Sequence, residues 1–226
     1  TTSESEDQIS YLRYVAQMGR RIAEMHVALA SRDDIDGFLP EPVTADDVSL
    51  WIDEIVARAD DVTSRLQGIR TTGNTPDHDL IDEILARRND LRSRLTQLAR
   101  SAADILKIRH HGDLHLGQML IVKDDIFIID FEGEPRRPLA QRRRKAPAAR
   151  DIAGIVRSID YSTTAALERA LKIAPDEHGK IASALQSWRE HAVATFLAAY
   201  REHMSDPRLW PADEGAAERL LDVFLL

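Results

Sequence analysis

The sequence predicts a mainly α-helical protein with one small β-hairpin, an α+β arrangement. Apolar residues recur at helical spacing through most of the 226 residues. The exception is a pair of short runs rich in Ile and Val, 118–123 and 125–130, with turn-forming polar residues between them. Both faces of these runs are apolar, so the hairpin is expected to be buried on both sides. The length suits one domain or one large lobe.

Three helices are predicted before the hairpin. The second has a start signal in Thr44, followed three residues later by Asp47. The third is expected to begin with Thr75 as its cap and Pro76 in its first position, after a Gly-Asn turn at 73–74. The second and third helices are therefore predicted to form a long antiparallel pair. On the first helix, His26 lies in the apolar stripe and is expected to be a core histidine.

Further helices are predicted after the hairpin. Residues 131–148 show little periodicity, and helices follow at about 149–160, 163–173, 177–203 and 213–225. The last of them closes on the apolar run 223–226, which is expected to need a buried partner.

Composition limits the classes of function. The net charge of −8 argues against general nucleic-acid binding. The absence of Cys excludes disulfides, thiol chemistry and Cys-ligated zinc, and it suits a cytoplasmic setting. No apolar run reaches the roughly 18 residues expected of a membrane helix, so no membrane association is predicted.

The segment from His111 to Glu132 carries the candidate chemistry. Asp113 lies in a tight loop, Gln118 follows five residues later, and Asp130 stands where the second strand ends. A turn centred on Asp124 would place Gln118 opposite Asp130, with Cβ atoms about 4.5–5.5 Å apart, close enough to ligate one cation. Phosphoryl transfer from ATP needs one carboxylate to accept a proton, and an amide and a second carboxylate to hold Mg²⁺.

Each of these residues also has a purely structural interpretation. Asp113 could cap a turn beside Gly112, and Asp130 could bind backbone at a strand end. His111 and His115 could be ordinary polar contacts. The combination and its spacing favour function.

Two motifs carry a resemblance to a known family. Residues 111–115 (His-Gly-Asp-Leu-His) and 129–131 (Ile-Asp-Phe) resemble the aminoglycoside-phosphotransferase-like kinases, a branch of the protein-kinase-like fold. Those enzymes usually have Asn where this chain has Gln118. The Gln and the segments 130–135, 150–154 and 157–161 resemble more narrowly the maltokinases, including those fused to trehalose synthase.

The resemblance implies roles for particular residues. Asp113 would be the catalytic base, and Gln118 and Asp130 would bind Mg²⁺, with Glu132 as a possible additional ligand. The reaction would be ATP-dependent phosphorylation of maltose to maltose 1-phosphate. A further set would contribute to substrate binding: His115, Glu134, Arg150, Arg157 and Tyr161.

The resemblance also implies that residues 1–226 are the C-terminal lobe of such a kinase. They would divide into a helical part (1–107), the catalytic loop and metal-binding hairpin (109–134), a basic loop (135–148) and C-terminal helices (149–226). No G-x-G-x-x-G pattern and no lysine on an N-terminal strand is present, so the N-terminal lobe that grips ATP is expected to be missing. The partners would be that lobe and, in a fusion, a trehalose synthase domain. A further helix would follow residue 226, and the fragment alone is expected to be nearly inactive.

Two other functions remain open. His111, Asp113, His115 and Asp130 could surround zinc or manganese in a metal-dependent hydrolase. The chain could also be a non-catalytic helical module. The basic cluster 136–150 is either a solvated loop or a phosphate- or sugar-binding segment, and nucleic acid is the least favoured partner.

Overall fold

The computed structural model describes residues 2–72, 78–99 and 105–225. Within them the protein is mainly helical, with two pairs of short antiparallel strands. The helices are α1 (Thr2–Leu29), α2 (Ala45–Thr72), α3 (His78–Ala99), α4 (Leu139–Arg142), α5 (Ala149–Ile173), α6 (His178–His203) and α7 (Glu214–Leu225). The strands are β1 (Glu41–Pro42), β2 (Leu106–Lys107), β3 (Met119–Val122) and β4 (Asp125–Ile128). The predicted mainly α class with a small hairpin is confirmed; the β1–β2 pair is too short to leave a pattern in the sequence.

The core lies where α1, α5, α6 and α7 meet. Gly19 allows α1 and α6 to cross closely, because a Cβ atom at this position would lie 2.5 Å from the carbonyl oxygen of Phe196. Side chains from all four helices are fully buried in the interior: Ile22, Ile152, Phe196, Tyr200 and Leu220. This burial confirms the apolar faces predicted for the first helix and for the long helix near the C-terminus.

Helices α2 and α3 pack against each other, as predicted. Arg70 pairs with Asp82 at 2.5 Å. The predicted start of α2 is also present, since the backbone N–H of Thr44 donates to Asp47 and that of Asp47 donates to the Thr44 hydroxyl. The predicted turn and helix start at 73–76 lie outside the described residues.

Helix α5 is one continuous helix, so the predicted break between 160 and 163 is wrong. The hydroxyl groups of residues 162–164 donate to carbonyl oxygens four residues earlier, at 2.8–3.1 Å. These bonds let a Ser-Thr-Thr run remain helical. Among the residues that the structure describes, no helix is both long and apolar enough to cross a membrane.

The hairpin differs from the prediction by one residue in register. Met119 lies opposite Ile128 and Val122 lies opposite Asp125. The turn therefore consists of two residues, Lys123 and Asp124, with φ angles of 49° and 63°. Two-residue turns with positive φ match the right-handed twist of the strands, which explains why this register is adopted.

The hairpin is buried on one side only, so the prediction of two buried faces is wrong. Ile126 is buried, whereas the side chains of Leu120, Ile121, Val122 and Phe127 are 43–59% exposed. Helix α1 covers the buried side of the hairpin. From this helix, the side chains of Arg21 and Gln17 donate hydrogen bonds to the Asp125 carboxylate at 2.5–2.8 Å. An apolar surface next to Gln118 and Asp130 is thus open to solvent.

The apolar run at the C-terminus is packed within the chain. Val223 is buried, and the Phe224 ring lies 5.5 Å from that of Trp51 on α2. These residues belong to α7, which contacts α3 and α5. The described part of the run therefore has the packing partner that the sequence requires, and the further helix after residue 226 remains a prediction.

Candidate active site

The loop that presents Asp113 is held by one buried carboxylate. Asp151, near the start of α5, accepts hydrogen bonds from the backbone N–H groups of His111 (2.7 Å) and Gly112 (2.9 Å). Gly112 has a φ of 86°, a conformation that favours glycine. Only 2% of the Asp151 surface is exposed, so this carboxylate belongs to the interior while the loop that it binds faces a cavity.

Asp151 is part of a buried network that reaches two other helices. His26 on α1 lies 3.2 Å from the Asp151 carboxylate and 2.9 Å from the hydroxyl of Tyr200 on α6. Burial alone would raise the pKa of the Asp151 carboxyl, but hydrogen bonds from His26 and the loop, with nearby His110, hold it well below its ordinary value. Asp151 is therefore ionised, and Nε2 of His26 donates to it. The predicted core histidine supports the catalytic loop.

His111 connects Asp113 with the end of the hairpin. Its Nδ1 accepts a hydrogen bond from the backbone N–H of Asp113 (3.3 Å), and its Nε2 donates to the carbonyl oxygen of Ile129 (2.8 Å). The ring is buried and lies 5.0 Å from the ring of Phe131. These contacts position the backbone of Asp113 relative to the residue before Asp130, and they occupy both ring nitrogens.

Gln118 and Asp130 are neighbours, as predicted, but they are not directly opposite each other on the two strands. The Gln118 side-chain amide donates to the Asp130 carboxylate at 3.2 Å. In the backbone, the carbonyl oxygen of Gln118 accepts from Ile129 (3.1 Å), so Gln118 does not lie opposite Asp130. Asp130 has a φ of 66°, and this left-handed turn brings its side chain to Gln118.

The cavity beside Asp113 has a volume of about 1010 Å³. Residues of helices α2, α3, α5 and α7 line it, and the loop forms part of its wall. Three residues predicted to bind substrate also line it: Glu134, Arg150 and Arg157. Gln118, Asp130 and the hairpin are not among the lining residues. Asp113 thus lines the cavity, and His111 links its backbone to the residue before Asp130.

The remaining predicted site residues are placed elsewhere. The ring of His115 accepts from the backbone N–H of Gly117 (3.0 Å) and caps the short 3₁₀ turn before β3. Glu132 is exposed just after Asp130. Tyr161 is 77% exposed and lies outside the cavity wall. The structure does not bring His115 or Tyr161 to the cavity, and their roles in binding remain predictions.

Three residues of the basic segment after the hairpin pair with carboxylates. Arg137 pairs with Glu134 at 2.5 Å, and Arg144 pairs with Glu54 at 2.7 Å. Lys145 pairs with Glu41. This segment is therefore more ordered than a solvated loop, and Arg136 and Arg137 add to the cavity wall.

The metal-hydrolase interpretation finds no support in the described part of the chain. Three or more His, Cys, Asp or Glu side chains do not converge there as a metal site. Since His111 already uses both ring nitrogens, it has no free lone pair for zinc or manganese.

Gly154 on α5 sets the distance between this helix and the catalytic loop. A Cβ atom at this position would lie 2.3 Å from the carbonyl oxygen of Leu114, next to Asp113. We expect Gly154→Ala to displace the loop and to lower kcat by about 10²-fold, since small misplacements of a catalytic group are costly. Steady-state kinetics tests this. Gly68→Ala on α2, where a Cβ meets nothing within 4 Å, is the matched control and should leave kcat unchanged. Equal kcat values for both variants would contradict the proposed close approach.

His110 makes stability depend on pH. Burial lowers its pKa to about 4, and within the described residues its Nδ1 has no hydrogen-bond partner. The folded protein keeps this ring neutral, whereas the unfolded chain protonates it below about pH 6.5. Stability from this residue is therefore complete above pH 6.5 and is lost as the pH falls towards 4, by on the order of 3 kcal/mol.

Denaturant unfolding between pH 7 and 4 tests this dependence. His110→Phe removes the titrating group, so the free energy of unfolding should fall less steeply with acidification than in the wild type. The exposed His191 supplies the control, since His191→Phe should keep the wild-type slope. An unchanged slope in His110→Phe would show that other groups cause the acid sensitivity.

Comparison with known proteins places the chain near sugar kinases. No protein-family profile matches it. It is 30% identical over 206 residues to a glucosamine kinase of Streptacidiphilus jiangxiensis, covering 91% of this chain and 41% of that protein. A glucosamine kinase of Mycolicibacterium smegmatis is 28% identical over 190 residues, which cover 84% of this chain and 41% of that protein. The chain thus spans about two fifths of the length of these curated relatives.

Solved structures give the same result. A glucosamine kinase in complex with glucosamine, ADP and inorganic phosphate superposes with a TM-score of 0.76 at 26% identity, covering 96% of this chain and 46% of that one. A second crystal form of glucosamine kinase gives 0.74 at the same identity and coverage. The mainly helical fold therefore resembles part of a sugar kinase. Because these relatives are glucosamine kinases, they support the prediction of a sugar kinase and do not support the prediction of a maltokinase.

Proposed function

We propose that this chain forms the catalytic part of a kinase that transfers the terminal phosphoryl group of ATP to a sugar hydroxyl, with Mg²⁺. One observation carries the proposal: His111 joins Asp113, which borders a large cavity, to the end of the hairpin, where Gln118 and Asp130 meet. The likeness to a glucosamine kinase whose structure contains glucosamine, ADP and inorganic phosphate supports the same reaction.

In this proposal Asp113 is the general base. Its position at the cavity allows its carboxylate to accept the proton of a hydroxyl group bound there. The bonds from Asp151 and His111 to the surrounding backbone fix the loop before substrate binds. Such pre-organisation reduces the reorganisation that the reaction requires.

The metal ligands in the proposal are Gln118 and Asp130, with Glu132 nearby as an additional ligand. Amide and carboxylate oxygens suit a hard divalent cation, so the residues present fit Mg²⁺. Gln118 directs its Nε2 at Asp130, and its amide would turn over so that Oε1 faces the cation. When bound, Mg²⁺ neutralises charge on the phosphates and orients them.

We also assign the chain to the C-terminal lobe of a kinase-like fold. The exposed apolar side chains of the hairpin support this, because they would be covered in a longer protein by a nucleotide or by an N-terminal lobe. The curated relatives, which are more than twice as long as the matched region, leave room for such a lobe. Fusion to a trehalose synthase remains a prediction.

The acceptor in the proposal is a sugar. Maltose follows from the sequence resemblance, and glucosamine is the sugar in the relatives' names. Both belong in any test of the acceptor.

Binding of Mn²⁺, a paramagnetic substitute for Mg²⁺, tests the metal site on the chain itself. We expect Mn²⁺ to broaden the NMR signals of residues around 118 and 130, and to do so at least tenfold more weakly in Asp130→Asn and Gln118→Leu, because the first loses the negative charge of the carboxylate and the second loses the amide oxygen. Asp206→Asn, far along the chain, is the control and should bind like the wild type. Equal broadening in the wild type and in both variants would contradict the assignment. Tight, stoichiometric binding of zinc would favour a hydrolase.

A further inference from the structure

The cavity beside Asp113 is strongly cationic. Seven arginines and four carboxylates line it among the described residues: Arg58, Arg87, Arg94, Arg136, Arg137, Arg150 and Arg157 with Glu54, Asp113, Glu134 and Asp151. A cleft with this excess of positive charge attracts anions and repels cations.

Most of the carboxylates are already occupied. Asp151 is buried and accepts three hydrogen bonds, from His26 and the catalytic loop. Glu134 and Glu54 pair with Arg137 and Arg144. Asp113 is therefore the one lining carboxylate with no side-chain partner within the described residues.

Several of the arginines, by contrast, have no anionic partner. The guanidinium of Arg157 donates to the carbonyl oxygen of Phe224, a neutral group. Within the described part of the chain, Arg58 and Arg150 form no side-chain hydrogen bond or ion pair. Burial lowers the pKa of Arg150, as do the charges of Arg137 and Arg58, and these effects outweigh the opposing ones of Glu54 and Asp151. Burial and the charge of Arg58 lower the pKa of Arg157. Like charges that converge in a partly buried space are destabilising until an anion binds between them.

The arginines of this cavity border Asp113. Neither Gln118, Asp130 nor the hairpin lines the cavity, so the metal ligands proposed above are not part of its wall. The volume of about 1010 Å³ exceeds what a single sugar ring fills and leaves room for a charged substituent.

We propose, on the basis of the function proposed above, that the acceptor sugar carries an anionic group, a carboxylate or a phosphate ester, which Arg58, Arg150 and Arg157 bind. Arginine suits this task because its planar fork donates two parallel hydrogen bonds to either group. An ammonium group on the sugar is disfavoured in the same cavity. This chain is then distinguished from its glucosamine-phosphorylating relatives by the charge of its acceptor.

Calorimetric titration of the full-length protein tests the proposal. The probes are glucuronate and glucose 6-phosphate as anionic sugars, glucose and maltose as neutral ones, glucosamine as a cationic one, and MgADP. We expect at least one anionic sugar to bind about tenfold or more tightly than glucose, with an affinity that falls as salt is added. Which of the two anions binds distinguishes a uronic acid from a sugar phosphate.

Substitution of the arginines locates the anion. Arg150→Gln and Arg157→Gln are each expected to lower the affinity for the anionic sugar about tenfold, which corresponds to one charge-assisted hydrogen bond. The affinity for glucose should hardly change. Arg87→Gln is the matched control, because Arg87 lines the same cavity but pairs with Glu83 at 2.5 Å. Circular dichroism melting confirms that each variant is folded.

Several results would overturn the inference. In the titrations, these are equal affinity for glucose and the anionic sugars, tightest binding of glucosamine or maltose, or no sugar binding at all. In the arginine variants, it is a loss of MgADP binding while sugar binding is kept. The Mn²⁺ experiment uses no acceptor, so the metal site and phosphoryl transfer can survive each of these outcomes. Failure of this inference is therefore distinguishable from failure of the proposed function.

Discussion

Replacing Asp113 by Asn is expected to lower kcat for sugar phosphorylation by about 10²–10⁴-fold in the full-length protein. The amide keeps the size of the side chain but cannot accept the hydroxyl proton. Because the loop is held by Asp151 and His111, the substitution should leave the fold and the affinity for the sugar within a few-fold of wild type. Steady-state kinetics and calorimetry measure the two effects separately.

The matched control for this variant is Asp124→Asn in the hairpin turn. Asp124 has exposed contacts with Arg13 and Tyr14, and Asn tolerates its left-handed backbone conformation. Its kcat should equal that of the wild type. Undiminished turnover in Asp113→Asn would exclude a catalytic Asp113 and would favour a non-catalytic helical module.

Replacing Asp151 by Ala is expected to cost about 3–5 kcal/mol of stability, the range for breaking a buried charged network. The substitution leaves the N–H groups of His111 and Gly112 and the ring of His26 without their acceptor in the interior. Denaturant unfolding measures the loss. At temperatures where the variant is folded, kcat should also fall, since the loop that presents Asp113 is no longer held.

Asp160 provides a control on the same helix. It pairs with Arg189 near the surface, where ion pairs contribute about 0–1 kcal/mol. Asp160→Ala should therefore be nearly as stable as the wild type and fully active. If Asp151→Ala were no less stable than Asp160→Ala, the buried network would not be what holds the loop.

The local part of the site could be predicted from the sequence. Asp113, Gln118 and Asp130 lie within 18 residues, so their spacing and the intervening hairpin constrain their geometry. Even so, the predicted register was wrong, because it depends on the φ angles of Lys123 and Asp124, and neither residue type requires a two-residue turn. Gln118 still reaches Asp130 because of a third positive φ, at Asp130, which no residue pattern indicates.

The supporting part of the site could not be predicted. His26, Asp151 and Tyr200 lie on three different helices. More than a hundred residues separate His26 from Asp151 and about fifty separate Asp151 from Tyr200, so only tertiary packing joins them. The sequence signal for His26 was its place in an apolar stripe, which indicates burial and says nothing about a partner. The exposure of the hairpin was missed for a related reason: apolar residues on both faces of a strand pair predict burial on both sides, but packing within the described residues covers only one of them.

Tracing the γ-phosphoryl label of ATP tests the central claim most directly. The full-length protein is incubated with labelled ATP, Mg²⁺ and a panel of neutral, cationic and anionic sugars, and the labelled products are separated. The proposed function predicts label in a sugar phosphate, only with Mg²⁺ present, and greatly reduced label in Asp113→Asn. Label released only as inorganic phosphate, or transfer to sugar that Asp113→Asn leaves unchanged, would contradict it.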